Sequence, residues 1–152
     1  MNLKFNEFTI EHIREVNKWH YDGVYSFYDM PSEDGLKEFL APDSEVKYFA
    51  CFNGEDMIGF YCHWLEDGQM AIGLGVKPKL TGQGLGKEFT RECIEFGIKR
   101  LNYKGNNVKL MVASFNERAI KIYKKLGFKE TERNVLETSD GYMEFIIMDK
   151  KL

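Results

Sequence analysis

The chain has 152 residues, 43% hydrophobic and 30% charged, with 14 Gly and 3 Pro; this is enough for one globular domain, too little for two, and neither disordered nor collagen-like. Three cysteines (Cys51, Cys62, Cys93) without a C-x-x-C pair exclude a disulfide scaffold, and the lack of an ~18-residue apolar run or an apolar leader in residues 1–8 points to a cytoplasmic protein. The net charge of −3 hides an asymmetry: residues 76–133 carry 14 Lys and Arg against 6 Asp and Glu, and the rest 7 against 18, which favours a small, locally held anion and argues against nucleic acid.

Leu3, Phe5 and Phe8 form a short, partly alternating strand segment, and Thr9 can cap a helix carrying Ile10, Ile13 and Val16. An aromatic stretch follows (Trp19, Tyr21, Tyr25, Phe27, Tyr28), and Ser32 opens a second short helix with Leu36, Phe39 and Leu40, stopped by Pro42. Three β-rich runs at 46–52, 57–65 and 69–76 are separated by Asn53-Gly54 and Asp67-Gly68, hairpin turns that predict an antiparallel meander. Beyond Pro78 the period becomes helical: Leu85, Phe89, Cys93 and Phe96 lie on one side of a long amphipathic helix to about Leu101. Val108, Leu110 and Val112 form a strand, and Asn116 opens a helix with Ala119, Ile122, Tyr123 and Leu126 that Gly127 closes. Strands at 128–133 and 142–148 finish a single α+β layer domain over 1–152, without repeat or linker.

The junction between the third meander strand and the long helix holds five glycines, at 73, 75, 82, 84 and 86. Gly82, Gly84 and Gly86 remove Cβ atoms where the chain turns into the helix, so successive N–H groups can converge on an anion at the positive end of the helix dipole. A Walker A loop is excluded, because Thr81 stands where its first glycine would be and Glu88 where its Ser or Thr would be. The Rossmann fingerprint is excluded by the G-x-G-x-G spacing and by the preceding antiparallel meander. A pyrophosphate cradle fits best, against the blander use of glycine for a tight turn.

Val76-x-Pro78 with Gly82-Gln83-Gly84-Leu85-Gly86 resembles the acetyl-CoA pyrophosphate loop of the GCN5-related N-acetyltransferase (GNAT) superfamily, and 116–128, from Asn116 through Tyr123 to Gly127-Phe128, is similar to that family's following helix. Thr81 replaces the Gln or Arg that commonly opens the family loop. The resemblance implies the GNAT fold: a mixed, mostly antiparallel sheet of about seven strands, about four helices and splayed central strands. It implies an N-acetyltransferase moving an acetyl group from acetyl-CoA to a primary amine of a small molecule or peptide by direct attack, without a metal. In that scheme Leu74, Gly75 and Val76 would bond the pantetheine arm, and Val76 or a neighbour would stabilise the oxyanion. Gly82, Gln83, Gly84, Leu85, Gly86 and Lys87 would hold the pyrophosphate, and Asn116 would touch the pantetheine amide. Tyr123 would contact the cofactor and protonate the departing thiolate. Seven residues is about two helical turns, so Asn116 and Tyr123 share a face ~10 Å apart. The residues alone also allow a plain cap for Asn116, a core role for Tyr123, and either a phosphate neighbour or a solvated face for Lys121, Lys124 and Lys125.

A general base is not evident. Met70 and Ala71 begin one central strand, and Met111 stands where some ribosomal-protein acetyltransferases carry Glu; Glu66, His63, Glu144 or an ordered water remain. Residues 1–75 hold 14 acids against 5 bases, which favours a cationic acceptor. Trp19, Tyr25 and Tyr28, with Tyr21 and Phe27, are the candidate lining of its pocket, a core role being the competing reading. A catalytically silent acyl-CoA sensor is the alternative function. The expected assembly is a monomer or homodimer.

Overall fold

The computed structural model describes residues 1–23, 25, 40–41, 43–138 and 140–152. Strand β1 (Leu3–Glu7) leads into α1 (Ile10–Val16), where the Thr9 hydroxyl accepts from the His12 N–H and the His12 ring accepts from the Thr9 N–H at 3.0 Å. This is a reciprocal cap with histidine in the place usually held by glutamate. The meander follows as β2 (Lys47–Asn53), β3 (Asp56–Glu66) and β4 (Gln69–Val76). Its second turn is two residues long, with Asp67 and Gly68 both at positive φ (52° and 78°), as that hairpin geometry demands.

A 3-10 turn (Pro78–Leu80) and the glycine loop carry the chain into α2 (Gly86–Leu101). Then come β5 (Asn107–Ala113), α3 (Glu117–Lys125), β6 (Lys129–Thr138) and β7 (Gly141–Lys151). The sheet order is β1-β2-β3-β4-β5-β7-β6, with β4 and β5 the one parallel pair. Seven strands and the mixed sheet agree with the sequence. Three α-helices stand among the described residues, and the fourth expected one, at 32–40, lies almost wholly outside them, as do Phe27 and Tyr28. Strands β6 and β7 run longer than predicted. The outer strand β6 is largely solvated and carries no apolar alternation, so its extent comes from pairing with β7 between Thr138↔Gly141 and Lys129↔Asp149.

The two faces of the sheet bury different partners. Tyr61, Met70, Ile72, Val108 and Leu110 pack with Phe89, Cys93 and Ile94 of α2 in the main core. On the opposite face Val16, Trp19, Ala50 and Met57 close a smaller cluster with Phe8, Phe52 and Phe60. Side chains along β3 alternate between the two: Tyr61 meets Phe96 of α2, while Phe60 stacks on Trp19. Gly97 is required by this packing, because a Cβ there would stand 2.1 Å from the Tyr61 hydroxyl. The three cysteines are buried and unpaired. No helix among the described residues is long and apolar enough to cross a membrane.

β4 and β5 are in register at Met70↔Val108, Ala71↔Lys109 and Ile72↔Leu110. Beyond that, β4 stays with β3 as far as Gly59↔Val76, and β5 stays with β7 as far as Ala113↔Phe145. The two strands therefore splay, and the site forms in the wedge between them.

Candidate active site

The free edge of β4 follows from hydrogen-bond parity. Lys77 N–H donates to the Ile58 carbonyl at 2.8 Å, opposite it in the β3 register. In an antiparallel ladder the next residue on each strand turns its main-chain groups the other way, so Val76 and Leu74 present N–H and C=O to the wedge. The Val76 carbonyl accepts from the Tyr21 hydroxyl at 2.7 Å.

Below that edge Gly82 and Gly84 both take positive φ (76° and 79°), and Leu85 at the N-cap of α2 (φ −83°, ψ −21°) offers no side-chain cap. Alternating left- and right-handed residues form an anion-binding nest, and an uncapped helix start leaves its first-turn amides to a ligand. Thr81, the departure from the family loop, turns its hydroxyl onto the Pro78 carbonyl at 2.8 Å. The Thr81 hydroxyl is thus engaged within the loop itself.

A cavity of about 560 Å³ runs along these features. Leu74, Gly75, Val76, Gly82, Gly84, Gly86, Lys87, Asn116, Tyr123 and Tyr25, all singled out from the sequence, line it. Gln83 and Leu85 do not. The Gln83 amide folds back to donate to the Lys79 carbonyl at 2.7 Å, and Leu85 lines a separate cavity beside the 3-10 turn. Asn116 caps α3, its Oδ1 accepting from Ala119 N–H at 3.2 Å, while also facing the cavity. Tyr123 is 8% exposed, with its ring beside Phe128. Among the described residues four cations, Lys87, Arg118, Lys121 and Lys125, line the cavity, and no Asp or Glu does. Arg118, Phe60 and Thr90 of the lining were missed by sequence reasoning. Arg118 lay inside the quoted helix block, where its first-turn position was the available signal.

Trp19 requires a correction. It is 4% exposed, packs in the smaller core against Phe60, and donates its indole N–H to Glu15 Oε1 at 3.3 Å. The docking of α1 takes its ring inward, while Tyr21 and Tyr25 reach the cavity. Tyr28 lies outside the described residues.

None of the side chains considered as a base lines the cavity. Glu66 is the last residue of β3, opposite Gln69 at the end of β4 remote from the splay, and pairs with Lys109 at 3.8 Å. Glu144 is held by Arg133 at 3.0 Å. His63 is 1% exposed inside the main core, 3.1 Å from the Tyr61 hydroxyl; burial, with the Arg100 charge second, pushes it down to about 4. It is a neutral core histidine. Among the described residues no three His, Cys, Asp or Glu cluster to hold a metal.

A splayed parallel pair, a glycine nest at a helix start and a cationic cavity thus meet in one site. The Acetyltransferase (GNAT) family model matches residues 10–128, and the chain belongs to that family. It is 31% identical over 100 residues to a mycothiol acetyltransferase of Streptomyces scabiei, covering 61% of this chain and 30% of that one. It is 32% identical over 104 residues to an uncharacterized N-acetyltransferase of Methanocaldococcus jannaschii, covering 62% and 44%. The chain spans less than half the length of these curated relatives. Among solved structures, a spermidine N-acetyltransferase chimera from Vibrio cholerae and hSSAT superposes with a TM-score of 0.81 at 17% identity, covering 99% of this chain and 96% of that one. The ribosomal-protein-S18-alanine N-acetyltransferase of Escherichia coli gives 0.68 at 21%, covering 99% and 94%. The fold is therefore the GNAT fold.

Proposed function

We propose that the chain transfers an acetyl group from acetyl-CoA to a primary amine of a small molecule or peptide by direct attack. The observation that carries this is the cavity itself, which links the main-chain edge of Leu74 and Val76 to the glycine nest and to Tyr123 through walls bearing four cations. The nest and the lysines fit a diphosphate; the open β4 edge fits an amide-bearing arm added as a strand. Bound there, acetyl-CoA supplies an activated acyl thioester.

Each residue then has a task. The Val76 N–H faces the wedge, where it can donate to an acyl oxygen as that oxygen gains charge. Gly82, Gly84, Gly86 and Lys87 hold the diphosphate, and Asn116 contacts the pantetheine. Tyr123 gives its hydroxyl proton to the leaving sulfur. The acceptor approaches from the side of Tyr21, Tyr25 and Phe60, whose rings favour an ammonium-bearing molecule. Among the described residues no carboxylate or imidazole lines the cavity, and an ordered water is the remaining candidate from the sequence to take the amine proton. That none of Glu66, His63 and Glu144 reaches the cavity favours, as a second reading, a sensor that binds acyl-CoA without turnover.

Two measurements test this. Acetyl-CoA should raise the thermal midpoint of the protein, as any ligand selective for the native state does. Thiol release across polyamines, aminoglycosides, amino acids and peptide N-termini should then reveal an accepted amine. Binding without release by any amine selects the sensor; no binding removes both readings.

A further inference from the structure

Tyr21 and Tyr25 are each fastened to residues beside the cavity. The Tyr21 hydroxyl donates to the Val76 carbonyl. Tyr25 is held by a stack: the Arg118 guanidinium carbon lies 4.2 Å from the centroid of the Tyr25 ring, and Phe115 meets that ring edge-on at 5.9 Å. Arg118 belongs to the first turn of α3, and its Nη1 is 3.6 Å from where a Cβ on Gly82 would stand. It therefore borders the glycine nest and the 19–25 segment at once.

We propose, building on the acetyl-CoA reading above, that Arg118 is a positioning residue that couples occupation of the diphosphate cradle to the ordering of Tyr25 and the described residues 19–23 before it on the acceptor side. A guanidinium stacks through its face, while its N–H donors lie in its plane and stay available to phosphate oxygens. No carboxylate among the described residues pairs with Arg118. Lys87, Lys121 and Lys125 also offer charge to the cavity, but among the described residues Arg118 is the cation stacked on the segment. An anion in the nest attracts its edge, narrows its conformers and leaves Tyr25 a fixed surface to cover. By reciprocity, a stacked Tyr25 holds Arg118 ready for the anion. Occupation of the cradle and completion of the acceptor wall thus favour each other.

Amide hydrogen exchange with and without saturating coenzyme A tests this without a known acceptor. Wild type and Tyr25→Phe, which keeps the ring face, should show exchange in residues 19–25 slowed about fivefold by coenzyme A, within the range of a partly desolvated cation–π contact. Tyr25→Ala and Arg118→Gln should lose that slowing, while residues 86–90 are slowed in all four proteins at saturation. Slowing at 86–90 without slowing at 19–25 in wild type overturns the coupling and leaves the cofactor reading standing. Equal slowing at 19–25 in Arg118→Gln overturns the role of Arg118. No slowing at either segment in wild type overturns the cofactor reading, and the coupling with it.

Discussion

The Tyr21 hydroxyl donates to the Val76 carbonyl at 2.7 Å, bonding a residue from outside the sheet to the open edge of a central strand. The same peptide unit is held from the other side, where Lys77 N–H donates to the Ile58 carbonyl at 2.8 Å. The Lys77 ammonium lies 3.4 Å from Glu15, which also accepts from the Trp19 indole. The end of β4 is therefore tied to α1 and to the segment after it. Tyr21→Phe keeps the ring and removes one part-buried hydrogen bond, so it should cost about 1 kcal/mol. For a domain of this size that is a fall of about 3 °C in the calorimetric midpoint. An unchanged midpoint would mean that the bond contributes nothing to the fold.

Tyr123→Phe separates chemistry from packing. The ring stays beside Phe128 at the same buried position, so the cavity wall and coenzyme A affinity should hold. Loss of a general acid should lower turnover about 100-fold or more. Thiol release with the accepted amine reads the rate, and calorimetry with coenzyme A reads the affinity. Full turnover in the variant would take Tyr123 out of the reaction.

What was legible in the sequence were the features whose requirements are local. Positive φ at Gly82 and Gly84, the two-residue turn at Asp67-Gly68, and Asn116 and Gly127 at the ends of α3 follow from backbone sterics within a few residues. Most of the cavity lining came from these same segments. What was not legible depends on tertiary contact. Trp19, Tyr21 and Tyr25 sit in one aromatic stretch, and only the docking of α1 against Phe60 decides that Trp19 goes into the core. Arg118 was passed over inside the helix block, and its role shows only when Tyr25 is seen against it. For Glu66 and His63 the missing quantity was position along the strand: alternation indicates a face, while distance from the splay needs the register.

Gly84→Ala tests the nest through backbone conformation alone. No heavy atom lies within 4 Å of a Cβ built at Gly84, so alanine meets no clash, but it must hold φ +79° or leave it. The left-handed region costs an L-residue about 1–2 kcal/mol. Paid in binding, that is about a tenfold weaker acetyl-CoA complex. The thermal shift produced by a fixed acetyl-CoA concentration should shrink accordingly. A variant that binds as tightly as wild type would show that the alternating loop conformation is not what holds the anion.

His63 predicts an acid-side loss of stability. In the unfolded chain the imidazole takes its proton near 6.5, whereas in the native protein burial, aided by the Arg100 charge, holds it neutral down to about 4. A depressed native value means the unfolded state binds the proton first, so the contribution is fully present above 6.5 and is lost as pH falls from 6.5 towards 4. Between pH 7 and pH 5 the linkage amounts to about 2 kcal/mol, measurable by urea unfolding at the two pH values. His12 is depressed too and adds to the loss in the same window, whereas the lowered carboxyls of Glu15, Glu88 and Glu130 act below 4.5. His63→Gln, less stable at neutral pH through its altered packing, should nevertheless lose under half as much stability between pH 7 and pH 5. Equal losses in the two proteins would assign the acid sensitivity to other groups.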